Sequence, residues 1–346
     1  MSERVKKVHP WYNFDKLFSH NCVFNFVPGA RGIGKTYGAK KFGIRAAIAR
    51  GEQFIYLRRY EKELKASKQT FMDDLKANAE FEDYDFRINA NRVEFSSVDF
   101  RDDKKREWKI AGYFLSLSTQ QSQKSVAFPA VTLIIFDEFI IEKGAVHYLP
   151  NEADVFQNFF LTVDRFQDKT RVLFLANAVS IMNPYFLAYD IKPEKDTEWI
   201  KLADGFIVVH FPKSDAFASS ISATRFGKFI KDTDYSNYAV NNGFADNTEQ
   251  LLQMKSGKAR YRFTVETGKG SFSVWHDVMN NVWYAQERQP KNAIVFVTDP
   301  ARMDEGKRLA LRSDKLMQVL RSAFTLGRLY FDNPKTRNSM IEIFKG

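Results

Sequence analysis

Apolar residues along this chain gather in short unbroken runs. VFNFVP (23–28), QFIYLRR (53–59), VTLIIFDE (131–138), RVLFLANA (171–178) and GFIVVHF (205–211) have the length of strands. Runs without a polar face predict strands covered on both sides, the habit of parallel sheets. Helical stretches lie between them. Residues 35–50, rich in Ala and Lys, read as a helix that Gly51 closes. Residues 60–79 read as a second helix with charges over its exposed faces, and Val155, Phe156, Phe159, Phe160 and Val163 mark the apolar stripe of a third. Period-2 patterning at 87–97 and 107–118, around the charged loop DFRDDKKR, predicts a hairpin or edge-strand insertion. The alternation as a whole predicts an α/β fold: a mostly parallel sheet with helices on both faces.

The pattern changes after 211. Residues 212–250 are rich in Ser, Asp, Asn and Tyr and read as a linker or small helical subdomain. From about 258 a new β pattern begins with ARYRFTVE, a GKG turn, SFSVWHD and NNVWYAQ, followed by AIVFVTD and a helix over 305–326. The expected division is therefore 1–211, 212–250 and 251–346, the last a smaller α/β domain.

Composition adds three points. Phe occurs 33 times, which predicts aromatic-rich cores, and Cys22 is the only cysteine, which excludes an intramolecular disulfide. No apolar stretch reaches the length of a membrane span and the N-terminus lacks an apolar leader, so a cytoplasmic protein with no membrane partner is expected. The net charge of +10 is uneven: 251–346 holds 17 Lys+Arg against 9 Asp+Glu, whereas 1–250 holds 35 against 33. A near-neutral body with a basic end region points to a polyanion such as nucleic acid, or to a merely solubilising surface.

Gly29-Ala30-Arg31-Gly32-Ile33-Gly34-Lys35-Thr36 matches GxxxxGK[ST] between a strand and a helix. Glycines let backbone N–H groups wrap the phosphates of ATP, Lys35 reaches the β/γ-phosphates, and the Thr36 hydroxyl ligates Mg²⁺. Asp137 and Glu138 end an apolar strand, where ligands bind in open α/β sheets. Asp137 is the candidate Mg²⁺ holder and Glu138 the residue that polarises the attacking water. Asn177 ends the next strand and is either a γ-phosphate sensor or a turn former. Arg58 and Arg59 face nucleotide or DNA, or more simply solvent.

GARGIGKT, IYLRRY, LIIFDEF and VLFLANA, with an arginine inside the P-loop that phosphate cradling does not need, together resemble the DNA-packaging ATPases of phi29-like bacteriophages. These are small relatives of the large terminases. The resemblance runs through residues 10–210 and is weaker beyond 250. It implies a homomeric, pentameric ring that acts at the portal vertex of a capsid in the infected host's cytoplasm and draws double-stranded DNA inward. It implies that Arg165 is a trans-acting arginine finger and Lys124 a second trans-acting basic residue. It also implies a C-terminal domain resembling a vestigial RNase H-like nuclease, which binds nucleic acid, including a structural packaging RNA, without cutting. Lys255, Lys258, Arg260 and Arg262 are the candidate patch there. For DNA gripping the candidates are Lys62, Lys65 and Lys68, with the loop Arg101–Arg106 as another. Two other classes stay open: a different P-loop DNA enzyme (helicase, or terminase with a working nuclease), and a nucleotide-gated nucleic-acid scaffold.

Overall fold

The computed structural model describes residues 12–104, 106–119, 126–141, 148–149, 151–177, 183–191, 197–212, 219, 222–230, 253–268, 270–287, 294–311, 313–325, 328–340 and 343. The chain divides into two units, 1–185 with 191–245, and 186–190 with 246–346.

In the first unit the apolar runs become β1 (Phe24–Gly29), β2 (Gln53–Arg58), β6 (Val131–Asp137), β7 (Arg171–Asn177) and β9 (Ile207–His210). With β3 (Tyr84–Asn89), β4 (Arg92–Ser97), β5 (Lys109–Ser116) and β8 (Trp199–Leu202) they form one sheet in the order β3-β4-β5-β2-β6-β7-β1-β9-β8. The strands from β5 to β9 in that order are parallel neighbours, and β3, β4 and β8 are antiparallel additions at the two edges. The α/β class and mostly parallel sheet are those the patterning predicts.

Strand alternation sorts the aromatic residues onto two faces. On one, Phe54, Tyr56, Phe71 and Phe114 pack with Leu17 of α1 (Asp15–Phe18) and with α2 (Lys35–Arg50), α3 (Glu61–Gln69) and α4 (Asp73–Ala77). On the other, Phe26 stacks on Phe174 at 4.1 Å, Phe136 and Tyr185 pack on Phe156 of α5 (Glu152–Asp164), and Phe139 meets Tyr185 and Phe26. Each such buried ring contributes about 1.5–3 kcal/mol. The β2–β5 contact needs Gly112, because a Cβ there would lie 2.6 Å from the Phe54 carbonyl oxygen.

Three expectations change. The helix over 60–79 is two helices, because the chain turns at 70–72 to bury Phe71 and Met72. The run 87–97 is not one strand: it turns at Ala90, with φ 51°, so that β3 and β4 form a hairpin. Edge strand β8 is short and mostly half-exposed, and its weak patterning hid it. Much of 212–250 lies outside the described residues; α6 (Pro184–Ala188) precedes it and α7 (Arg225–Ile230) falls within it.

The second unit holds β10 (Arg260–Thr267), β11 (Gly270–Asp277), β12 (Val282–Gln286), β13 (Val295–Val297), β14 (Lys307–Leu309) and β15 (Leu329–Phe331), in the order β14-β13-β10-β11-β12-β15. β10, β11 and β12 are an antiparallel meander, while β13 runs parallel to β10 and β14 to β13. Met317, Leu320 and Ala323 of α8 (Lys315–Thr325) and Met340 of α9 (Pro334–Met340) cover Phe263, Val265, Phe272 and Phe296. The helix expected over 305–326 begins only at Lys315, because β14 takes its first residues.

Candidate nucleotide site

β1, β7 and β6 end side by side, with Gly29 opposite Asn177 and Asp137 opposite Leu175. The P-loop follows β1 at that edge. Gly32 and Gly34 have φ of 84° and 81°, left-handed values that glycine adopts without strain. Gly34 caps α2 with no side-chain hydrogen bond, leaving the first N–H groups of the helix for an anion. Ala30 and Ile33 are buried and anchor the loop, whereas Arg31 and Gly32 are exposed. Lys35 is buried and donates to the carbonyl oxygens of Gly29 and Ala30, both at 2.8 Å. Burial pushes its ammonium down to about 8, with Asp137 pulling it up and Arg31 pressing it further down.

The Thr36 hydroxyl donates to Asp137 Oδ1 at 3.0 Å, and Tyr56 donates to Asp137 Oδ2 at 2.6 Å. Two hard oxygens, Thr36 Oγ1 and Asp137 Oδ1, therefore converge beside the phosphate cradle, a donor set that suits Mg²⁺. Glu138 follows in a left-handed backbone conformation, φ 59°, which a non-glycine residue holds only when its surroundings fix it. Burial at the strand end raises its carboxyl and Arg58 opposes that shift. The carboxylate remains 56% exposed, so its oxygen faces the open side of the site while the surrounding strand ends press on it. Lys35, Thr36, Asp137 and Glu138 line a cavity of about 320 Å³ with Gly32, Gly34, Tyr37, Asp74, Asn78, Ala176 and Asn177.

Arg58 and Arg59 are not solvated, contrary to the sequence reading. Arg58 reaches Asp137 Oδ2 at 3.4 Å and Glu138 Oε2 at 2.6 Å, bridging both carboxylates. Arg59 is 2% exposed and holds Glu152 of α5 through two bonds of 2.7 and 2.8 Å. It also donates to the carbonyls of Glu138 and Phe139. Tyr185 and the Leu149 N–H complete the shell of Glu152. An arginine without a buried acid would not stay there. A doubled arginine ending an otherwise apolar strand is the one sequence signal that could have revealed them. Tyr37, Asp74 and Asn78 of the cavity wall gave none.

Arg165 lies elsewhere. β6 delivers Asp137 to the cavity, and α5 then carries the chain back, so Arg165 at its C-terminus stands beside the start of β7. It is exposed and donates to the Thr162 and Val126 carbonyls at 3.4 and 3.5 Å. Lys124 lies outside the described residues. Lys62 and Lys65 are exposed on α3, but Lys68 is turned onto Asn91 and the Phe114 ring. Arg101 and Arg106 are likewise tied to Asp85, so neither is a free cation. In the second unit Lys258, Arg260 and Arg262 are exposed, whereas Lys255 sits over the Trp275 ring at 4.6 Å.

A P-loop at the C-terminal edge of a parallel sheet, with a Thr–Asp pair and a following Glu at one cavity, defines the P-loop nucleoside-triphosphatase class. The chain belongs to the podovirus DNA encapsidation protein (Gp16) family, whose model matches residues 6–346. It is 34% identical over 338 residues to a DNA packaging protein of Bacillus phage phi29, covering 97% of each chain. It is similar to a chain of the solved bacteriophage Phi-29 genome packaging motor assembly, at 33% identity and TM-score 0.62, over 97% of this chain and 99% of that one. The crystal structure of the N-terminal domain of the phi29 DNA packaging ATPase matches 60% of this chain and 98% of its own, at 37% identity and TM-score 0.52. Among the described residues no helix is long and apolar enough to cross a membrane.

Proposed function

We propose that this chain is the ATPase of a DNA-packaging motor, hydrolysing ATP at Gly29–Thr36 to move double-stranded DNA into a preformed capsid. One juxtaposition carries the reading: Thr36, Asp137, Glu138 and Asn177 surround one cavity, in a chain of the encapsidation family. Thr36 and Asp137 would hold Mg²⁺, which neutralises phosphate charge when bound. Lys35 exchanges the Gly29 and Ala30 carbonyls for phosphate oxygens, which compensate the charge that burial penalises. Glu138 takes a proton from the water that attacks the γ-phosphorus; the bond to the ADP oxygen breaks, and ADP and phosphate leave. Asn177 donates to the γ-phosphate.

Lys35 is the one cation lining the cavity among the described residues, and Arg58 and Lys40 behind the wall are already paired with its acids Asp137, Glu138 and Asp74. A polyphosphate there needs further positive charge. Arg165, beyond the reach of its own cavity, supplies it to a neighbouring subunit, as does Lys124, and the working form is a ring of the pentameric kind. Its setting is the infected cell, at the capsid portal, with a structural RNA as a further partner.

The second unit is read as an RNase H-like fold that binds nucleic acid without cutting. The strand order β12-β11-β10-β13-β14 supports this. So does Glu266 on β10, whose carboxylate is answered by Lys307 at 3.1 Å and Arg302 at 3.8 Å rather than by other acids. No group of three metal-ligating side chains occurs among the described residues. Lys258, Arg260 and Arg262 are its candidate contacts, and Lys62 and Lys65 remain candidates for gripping DNA.

The test mixes subunits. Arg165→Ala and Lys35→Ala proteins should each be inactive alone, and their mixture should recover part of the ATPase, because intact half-sites meet. No recovery in rings shown to be mixed would remove the trans role of Arg165.

A further inference from the structure

The segment just before α1 is bonded to the P-loop. The Tyr12 N–H donates to the Ile33 carbonyl at 2.8 Å. Ile33 lies between Gly32 and Gly34, whose left-handed backbones belong to the residue type with the most conformational freedom to lose. In a planar trans peptide the carbonyl and the following N–H point opposite ways. Holding the Ile33 carbonyl on Tyr12 therefore turns the Gly34 N–H away from Tyr12, and Gly34 lines the nucleotide cavity. The strap lies tight, since a Cβ at Gly38 of α2 would sit 3.0 Å from the Tyr12 carbonyl oxygen.

Tyr12 is itself fixed from β9. Its hydroxyl lies 2.7 Å from His210 Nδ1, and His210 Nε2 lies 3.1 Å from Glu198 Oε1. A carboxylate only accepts, so Nε2 carries the ring proton. Burial lowers His210 below its ordinary value while Glu198 opposes the shift, so the ring is neutral at pH 7 and Nδ1 accepts from Tyr12. Burial and then Glu198 raise the Tyr12 phenol, which stays a donor. Trp199, the partner of His210 across β8 and β9, stacks on the imidazole at 3.7 Å and 8° and sets its plane. The same end of β9 also meets the first residue of the loop, where a Cβ at Gly29 would lie 2.7 Å from Pro212 Cγ. Neither Tyr12 nor His210 lines the cavity; what this chain of bonds reaches is the loop.

We propose that Tyr12 and His210 are positioning residues for nucleotide binding: Glu198 and Trp199 hold the His210 ring, His210 holds Tyr12, and Tyr12 presets the Ile33–Gly34 peptide for phosphate. This rests on the reading of Gly29–Thr36 as the ATP site. A loop whose peptides are set beforehand has less freedom to lose when the ligand arrives. The strap therefore acts on affinity, equally in ground and transition states, and not on the chemical step.

The experiment measures binding of a fluorescent ATP analogue, steady-state ATPase and thermal melting on the full chain. Tyr12→Phe removes one hydroxyl and keeps the ring. The dissociation constant, and KM with it, should rise about three- to tenfold, the range expected for one hydrogen bond, while kcat stays within about twofold. His210→Phe keeps a ring on Trp199 but offers no acceptor, and it should act in the same direction. Tyr12→Phe combined with His210→Phe should be no weaker than the weaker single variant, because the two share one bond. His210→Gln, whose amide oxygen can accept from Tyr12 while its NH₂ donates to Glu198, should return the constant to within about twofold. An unchanged dissociation constant in folded Tyr12→Phe, even with a lowered melting temperature, would make the pair merely structural and overturn the proposal alone. Effects that multiply in the double variant would also overturn it. A parent chain that fails to bind the analogue would instead overturn the nucleotide-site reading, and the proposal with it.

Discussion

At Glu138 the proposed chemistry and a strained backbone coincide. Its backbone is left-handed, burial raises its carboxyl, and Arg58 grips one oxygen at 2.6 Å. A raised carboxyl is a better proton acceptor near neutral pH, and the arginine keeps it oriented until a water takes its place. Glu138→Gln keeps the shape and the hydrogen bond but cannot take a proton. The expected outcome is ATP binding within about threefold of the parent and single-turnover hydrolysis lower by about 10²–10⁴-fold. Undiminished hydrolysis would move the base elsewhere.

At the scale of elements, two buried charges tie the strand end that carries Asp137 to α5. Arg59 links β2, the carbonyls after Asp137 and Glu152 at the start of that helix. Arg59→Met leaves a buried, uncompensated carboxylate and should destabilise by about 3–5 kcal/mol, whereas Arg59→Met with Glu152→Met should recover most of that in chemical denaturation. Asp164 at the other end of α5 gives a pH test. Burial works against its charge, yet the N–H groups of Thr170, Asp168 and Lys169 hold its folded value below the unfolded one. Its contribution is therefore present above the ordinary carboxylate range and is lost as pH falls through the folded value. Asp164→Asn should cost about 1–3 kcal/mol at pH 7. Its melting temperature should approach that of the parent below about pH 4.

The same elements mark how far sequence alone reaches. The P-loop and Asp137–Glu138 are legible because each is contiguous and its apolar strand is visible beside it. Arg58 and Arg59 are not, because their burial depends on acids 79–93 residues further along. The hairpin turn at Ala90 escapes because alanine carries no turn signature, and the break in 60–79 because Phe71 is placed by the strands it packs on rather than by helical period. Lys68 shows the converse error: a lysine on a charged helix face reads as free until the β3–β4 hairpin is seen beneath it.

At the scale of the molecule, a P-loop unit is joined in one chain to a smaller unit of different fold, the last 96 residues hold 17 Lys+Arg against 9 Asp+Glu, and the chain matches a packaging protein over almost its full length. A motor of this kind is expected to hydrolyse ATP faster when its polymer track is engaged. The most direct measurement is steady-state ATP hydrolysis by the assembled full-length chain with and without double-stranded DNA. The account predicts that DNA raises the rate, that Glu138→Gln abolishes it in both conditions, and that no strand cleavage accompanies it. A rate indifferent to DNA, or one that survives Glu138→Gln, would contradict it.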